Sequence, residues 1–201
     1  MSITDAVILM AGTGSRLRGS ADTIAKPLIP IAGRPLISYA IDSFDKVGVK
    51  TVHAVVGPNG EELAAAVAPL LPAHMRFQPI PNREWRKQNG VSLLTASGKV
   101  SAPFFLAMGD HLFESAILNE LVEHADLSRL NLAIDKKIGS IFDLDDAMKV
   151  QTQDNLIVAI ERSSKPTTRS IPEFSSARRS CLITCAARFK TAIAVWRMRC
   201  G

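Results

Sequence analysis

The chain has 201 residues, 47% of them hydrophobic, enough for one globular α/β domain with a sizeable core. No apolar run reaches the ~18 residues that a membrane span needs, and the first residues enter an apolar pattern without a basic, cleavable leader, so a cytoplasmic protein is expected. The net charge of +5 is uneven: residues 1–161 carry 15 Lys/Arg against 18 Asp/Glu, a balance of −3, and residues 162–201 carry 9 against Glu173 alone, a balance of +8.

The first element is an apolar run, Ala6-Val7-Ile8-Leu9-Met10, short and bounded by glycine as in a buried parallel strand. Ala11-Gly12-Thr13-Gly14-Ser15-Arg16 follows. Two glycines one residue apart let a backbone turn tightly and bring its N–H groups against an anion. With Arg16 and then Lys26 as cations, the segment suits a nucleoside triphosphate: backbone around the phosphates, side chains against the charge that moves during transfer. The dinucleotide fingerprint does not fit, because its third glycine position is Leu17 and no acidic residue closes a second strand at the usual distance. The Walker pattern also lacks its Gly-Lys-Ser/Thr. Taken locally, a plain strand-to-loop turn with surface cations remains an equal alternative.

Residues 35–47 show helical spacing at Leu36, Ile37, Ala40, Ile41 and Phe44, with Pro35 at the start and Gly48 just past the end. Residues 50–56 read as a strand, 61–71 as an Ala-rich helix stopped by Pro72, and 75–79 as a short strand. This alternation predicts a mostly parallel sheet covered by helices, whose ligands bind beyond the carboxyl ends of the strands. Residues 82–90 are polar, and 92–97 begin a helix. Asn82, Asn89 and Ser92 could hydrogen-bond a base and ribose, since an amide both donates and accepts. Asparagines that only satisfy their own loop are the plainer reading.

Residues 102–108 form a strong strand ending in Gly109-Asp110-His111. An aspartate at the carboxyl end of a buried strand can hold Mg²⁺ beside phosphates. It can equally cap the helix expected from about residue 114. Residues 118–124 are helical and 130–135 a strand, followed by Lys136-Lys137, either acceptor-phosphate contacts or a solvated strand end. Asp143, Asp145 and Asp146 lack the spacing and glycine of a calcium loop. Residues 156–160 form the last convincing strand.

The spacing of Leu9 to Leu17, Lys26-Pro27-Leu28 and Gly33-Arg34-Pro35-Leu36 resembles the signature of the nucleotidyltransferases that activate sugars and phospho-alcohols. Asn82 to Leu94, Met108-Gly109-Asp110-His111 and Ile141 to Gln151 resemble the cytidylyltransferase branch, most like the CTP:inositol-1-phosphate and phosphocholine enzymes. The resemblance covers residues 3 to about 161. It implies an α/β, Rossmann-like three-layer sandwich with a mostly parallel sheet, of the nucleotide-diphospho-sugar transferase type, with its C-terminal part missing. It implies Mg²⁺-dependent transfer from CTP to a phosphorylated alcohol or sugar. It places Ala11, Gly12, Thr13, Gly14 and Ser15 on the triphosphate, Asn89, Gly90 and Ser92 at the nucleotide, Arg16 and Lys26 in catalysis, Asp110 on the metal, and Lys136 and Lys149 near the acceptor. UTP, GTP and molybdenum-cofactor-type transfer, or a non-catalytic nucleotide-binding module, are the alternatives.

After residue 161 the pattern breaks. Residues 162–201 are rich in Ser, Arg and Thr and hold Cys181, Cys185 and Cys200. The family continues here with a strand resembling DAIDTGVF. Back-translating residues 168–201 with permitted codons and reading two nucleotides downstream yields such a peptide over more than thirty residues, past the single-codon Trp196 and Met198. The expectation is therefore a domain over 1–161 and a frameshift-derived, poorly ordered basic tail over 162–201. On that reading the cysteines are accidental, a later acidic metal ligand is lost, activity is weak or absent, nucleic acid and membrane are not partners, and a fused or partner domain could be encoded downstream.

Overall fold

A computed structural model describes residues 2–12, 24–58, 60–134, 148–154, 156–161, 174–177 and 184–186. In chain order its elements are β1 (Asp5–Met10), β2 (Pro30–Ile31), β3 (Arg34–Pro35), α1 (Leu36–Lys46), β4 (Thr51–Val56), α2 (Gly60–Val67), β5 (Arg76–Pro81), α3 (Asn89–Leu94), β6 (Phe104–Met108), α4 (Ser115–His124), β7 (Leu130–Leu132), β8 (Met148–Gln153), β9 (Leu156–Glu161), β10 (Phe174–Ala177) and β11 (Thr184–Ala186). The main sheet has the order β5-β4-β1-β6-β11-β7. Its first four strands are parallel, and β11 lies antiparallel between β6 and β7. A second sheet, β10-β8-β9, is antiparallel.

The strands are apolar on both faces because helices cover both. On β1, Ala6, Ile8 and Met10 enter one core, packed with α1, α2 and α4. Val7 and Leu9 enter the other, with Leu93 of α3, Ala96 and Val100. This alternation at a period of two gives three layers with β1 buried at the centre. The expected α/β sandwich with a mostly parallel sheet is the observed fold.

Helix α1 forms because Leu36, Ile37, Ala40, Ile41 and Phe44 share one stripe, all buried. It ends where Gly48 takes φ +86°. There Gly48 N–H donates to the Asp45 carbonyl at 2.9 Å and Val49 N–H to the Phe44 carbonyl at 3.0 Å, a Schellman closure that uses orphan carbonyls. The hairpin before α1 turns through Ala32 and Gly33, both at positive φ, which matches the twist of a two-residue connection.

Several boundaries differ from the sequence expectation. Helix α2 stops at Val67 and gives way to a 3-10 turn over Ala68–Leu70, because Pro69 inside the expected helix supplies no N–H. β5 runs to Pro81, and α3 starts at Asn89 rather than 92. β7 ends at Leu132 rather than 135. β9 is not the last strand: β10 pairs with β8, and β11 with β6 and β7. Of residues 162–201 only Phe174–Ala177 and Thr184–Ala186 are among the described residues.

Candidate functional site

From β1 the chain crosses by α1 to β4 on one side and later returns to β6 on the other, so the strand order reverses at β1. At such a switch point the connections diverge and leave a crevice beyond the carboxyl ends. Here that crevice is lined by Ala11 and Gly12 from β1, by Lys26 and Pro27, by Met108, Gly109 and Asp110 from β6, and by Trp85, Asn89 and Ser92.

Three close approaches build its floor. Gly109 N–H donates to the Leu9 carbonyl at 3.0 Å, extending the β1–β6 ladder one residue so that Asp110 is the first residue beyond it. A Cβ at Gly109 would sit 2.6 Å from Met10 Cγ, so any side chain there would have to displace the Met10 side chain. Gly57, just past β4, faces Ala11: a Cβ would lie 2.7 Å from the Ala11 carbonyl oxygen. That neighbour is backbone and cannot rotate away. Gly57→Ala is therefore expected to lower unfolding free energy by about 1–3 kcal/mol, read by urea denaturation; an unchanged midpoint would show that the loop after β1 yields freely. Gly12 differs, since a Cβ there would meet nothing within 4 Å.

Charge enters the crevice from two sides. Lys26 Nζ donates to Asp110 Oδ2 at 3.2 Å across 84 residues of sequence, with side chains 28% and 37% exposed. Lys26 opens a 3-10 turn, Lys26–Leu28, whose Pro27 is buried. His111 is buried beside Asp110, its Nε2 3.7 Å from Asp110 Oδ1. Asp110 supplies one hard oxygen donor set in reach of the crevice. That fits Mg²⁺, which commonly takes one or two protein carboxylates and completes its shell with water and phosphate oxygens. Among the described residues no group of three or more His, Cys, Asp or Glu could cage a metal.

The opposite wall is built on Asn82. Its Nδ2 donates to Ser92 Oγ at 2.9 Å and its Oδ1 accepts from Glu84 N–H at 2.9 Å. Asn82 N–H donates to the Val56 carbonyl at 2.8 Å. Asn82 and Ser92 are each 3% exposed. In this structure the Asn82 amide ties the turn at 83–87 to α3. Asn89 and Ser92 do face the crevice, and Gly90 lies between them in the first turn of α3.

The structure therefore brings together Ala11, Gly12, Lys26, Asn89, Ser92 and Asp110. Thr13, Gly14, Ser15, Arg16 and Lys136 lie outside the described residues. Lys149 lies on β8 in the second sheet, opposite Glu161 and Ser176, and its side chain is likewise outside them. Gly57, Gly109 and Trp85 were not signalled by the sequence as site residues, because their roles depend on partners distant along the chain.

Residues 6–140 match the family described as the MobA-like NTP transferase domain. The bifunctional IPC transferase and DIPP synthase of Aquifex aeolicus is 36% identical over 136 residues, covering 67% of this chain and 31% of that protein. This chain thus spans about a third of that relative's length. The solved inositol-1-phosphate CTP transferase from T. maritima superposes with a TM-score of 0.77 at 22% identity, over 97% of this chain and 74% of that one. A UDP-glucose pyrophosphorylase in complex with UDP-glucose superposes with a TM-score of 0.71 at 17% identity, over 98% and 79%. The chain belongs to the MobA-like NTP transferase domain family.

Proposed function

We propose that the crevice binds CTP and that its chemistry is cytidylyl transfer to a phosphorylated alcohol or sugar. An oxygen of the acceptor phosphate forms a bond to the α-phosphorus, the bond from that phosphorus to the bridging oxygen of the β-phosphate breaks, and pyrophosphate leaves. A phosphate dianion is already nucleophilic, so no general base is required, and catalysis is positioning plus charge neutralisation. The carrying observation is the meeting of Lys26, Asp110 and Gly12 in one crevice at the strand switch point.

In this reading the backbone from Ala11 to Ser15 holds the triphosphate, Arg16 balances the leaving pyrophosphate, and Lys26 the α-phosphate. Asn89 and Ser92 read the nucleotide, and Lys136 and Lys149 meet the acceptor phosphate. Bound at Asp110, Mg²⁺ would neutralise phosphate charge and orient the phosphate oxygens. CTP is favoured by the IPC and CTP transferases among the relatives; UTP is the second reading, favoured by the UDP-glucose pyrophosphorylase. No helix among the described residues is long and apolar enough to cross a membrane. Turnover is proposed to be weak, because residues 162–201 do not follow the family pattern that would carry a second acidic metal ligand.

The test is thermal unfolding of the 201-residue chain with Mg²⁺ and each of CTP, UTP and GTP, followed by pyrophosphate release with inositol-1-phosphate and phosphocholine. CTP is expected to raise the midpoint most. A larger rise with UTP would replace the CTP assignment, and no rise with any nucleotide would remove the reading.

A further inference from the structure

The geometry points to Trp85 as the stacking platform for the nucleobase in this crevice, with Arg86 as its rear support; this rests on the nucleotide-binding reading above. Trp85 is half-buried and lines the crevice on the wall that carries Asn89 and Ser92. The Arg86 guanidinium carbon lies 4.5 Å from its ring centroid. A cation over the ring is held by the ring's quadrupole, and in this proposal the base stacks on the opposite ring face.

The turn that presents the ring is fastened at its start and closed by bonds within it. Asn82 anchors its start to β4 and to α3, through the Val56 carbonyl and Ser92 Oγ. Within it, Glu84 N–H is held by Asn82 Oδ1, and Lys87 N–H donates to the Glu84 carbonyl at 2.8 Å. The Lys87 ammonium also pairs with the Glu84 carboxylate. An aromatic side chain on so constrained a turn loses little freedom when a ligand arrives, which favours affinity. Every nucleobase has a π-face, so stacking on Trp85 is tolerant of sequence. Base choice then falls to the hydrogen-bonding edges of Asn89 and Ser92 beside it. The phosphate end, at Gly12 and Lys26, lies along the same crevice, so one nucleotide spans both.

The chain has two tryptophans, Trp85 and Trp196, so a Trp196→Phe background isolates Trp85 fluorescence. Titration with CTP is expected to quench it saturably, and tripolyphosphate is expected to leave it unchanged. In the same background Trp85→Ala is expected to weaken CTP binding about tenfold, and Trp85→Phe about threefold or less, measured by calorimetry with circular dichroism confirming the fold. Equal quenching by CTP and tripolyphosphate would reduce the signal to a phosphate effect and overturn the proposal. CTP stabilisation of the fold without any change at Trp85 overturns the stacking alone and leaves nucleotide binding standing. Neither stabilisation nor quenching with any nucleotide overturns both.

Discussion

Asp110→Asn is expected to abolish the Mg²⁺-dependent part of CTP binding and to lower whatever transfer the chain supports by about a hundredfold or more. The substitution keeps the shape of the side chain and removes its charge. Asp110 stands one residue beyond the β1–β6 ladder, held in place by the Gly109 N–H bond to Leu9. Its carboxylate now pairs with Lys26 at 3.2 Å. Both groups are partly exposed, so losing the pair costs at most about 1 kcal/mol of stability, and the variant should fold. With a chelator present, CTP affinity should not fall, because Lys26 loses a carboxylate that competes with the triphosphate. Calorimetric titration of wild type and variant, with Mg²⁺ and with chelator, separates these terms. A variant that still gains affinity from Mg²⁺ would take the metal away from Asp110.

How far these features could be read from the amino acids depends on whether the cause is local. β1 was legible because its burial on both faces leaves an unbroken apolar run. α1 was legible because its stripe, its starting Pro35 and its closing Gly48 all act within one helix. The place of Asp110 at the crevice was legible because a strand end followed by Gly-Asp is itself local. Asn82 was open to two readings, since its type suits both base reading and turn anchoring. What the structure adds is its bond to Ser92, ten residues on. The constraint at Gly57 is equally invisible from its neighbours, since what it meets is the Ala11 carbonyl on another strand. Strands β10 and β11 have weak patterns of their own, FSSA and TCA, and are defined by the strands they pair with.

Phe44→Ala is expected to have the largest effect on stability, about 3–5 kcal/mol, which in a chain of this size is a fall in Tm of roughly 6–20 °C. The ring is fully buried on α1. It meets Phe105 of β6 at 5.9 Å between centroids and Phe113 edge-on at 5.4 Å. Truncation would remove both aromatic contacts and leave a cavity between helix and sheet that neither can collapse to fill. The consequence reaches the crevice. Phe113 lies three residues after Asp110, and its carbonyl accepts from Ser43 Oγ at 3.0 Å, so α1 holds this stretch through two adjacent residues. Losing the ring removes one of the contacts that fix the segment leading out of Asp110 and keeps the Ser43 bond. CTP affinity should therefore fall together with stability at temperatures where the variant is still folded. Phe44→Leu, which refills most of the volume, should recover over half of the stability and the affinity with it. A variant that melts early but binds CTP in Mg²⁺ as tightly as wild type would show that Asp110 is positioned by the β1–β6 ladder alone.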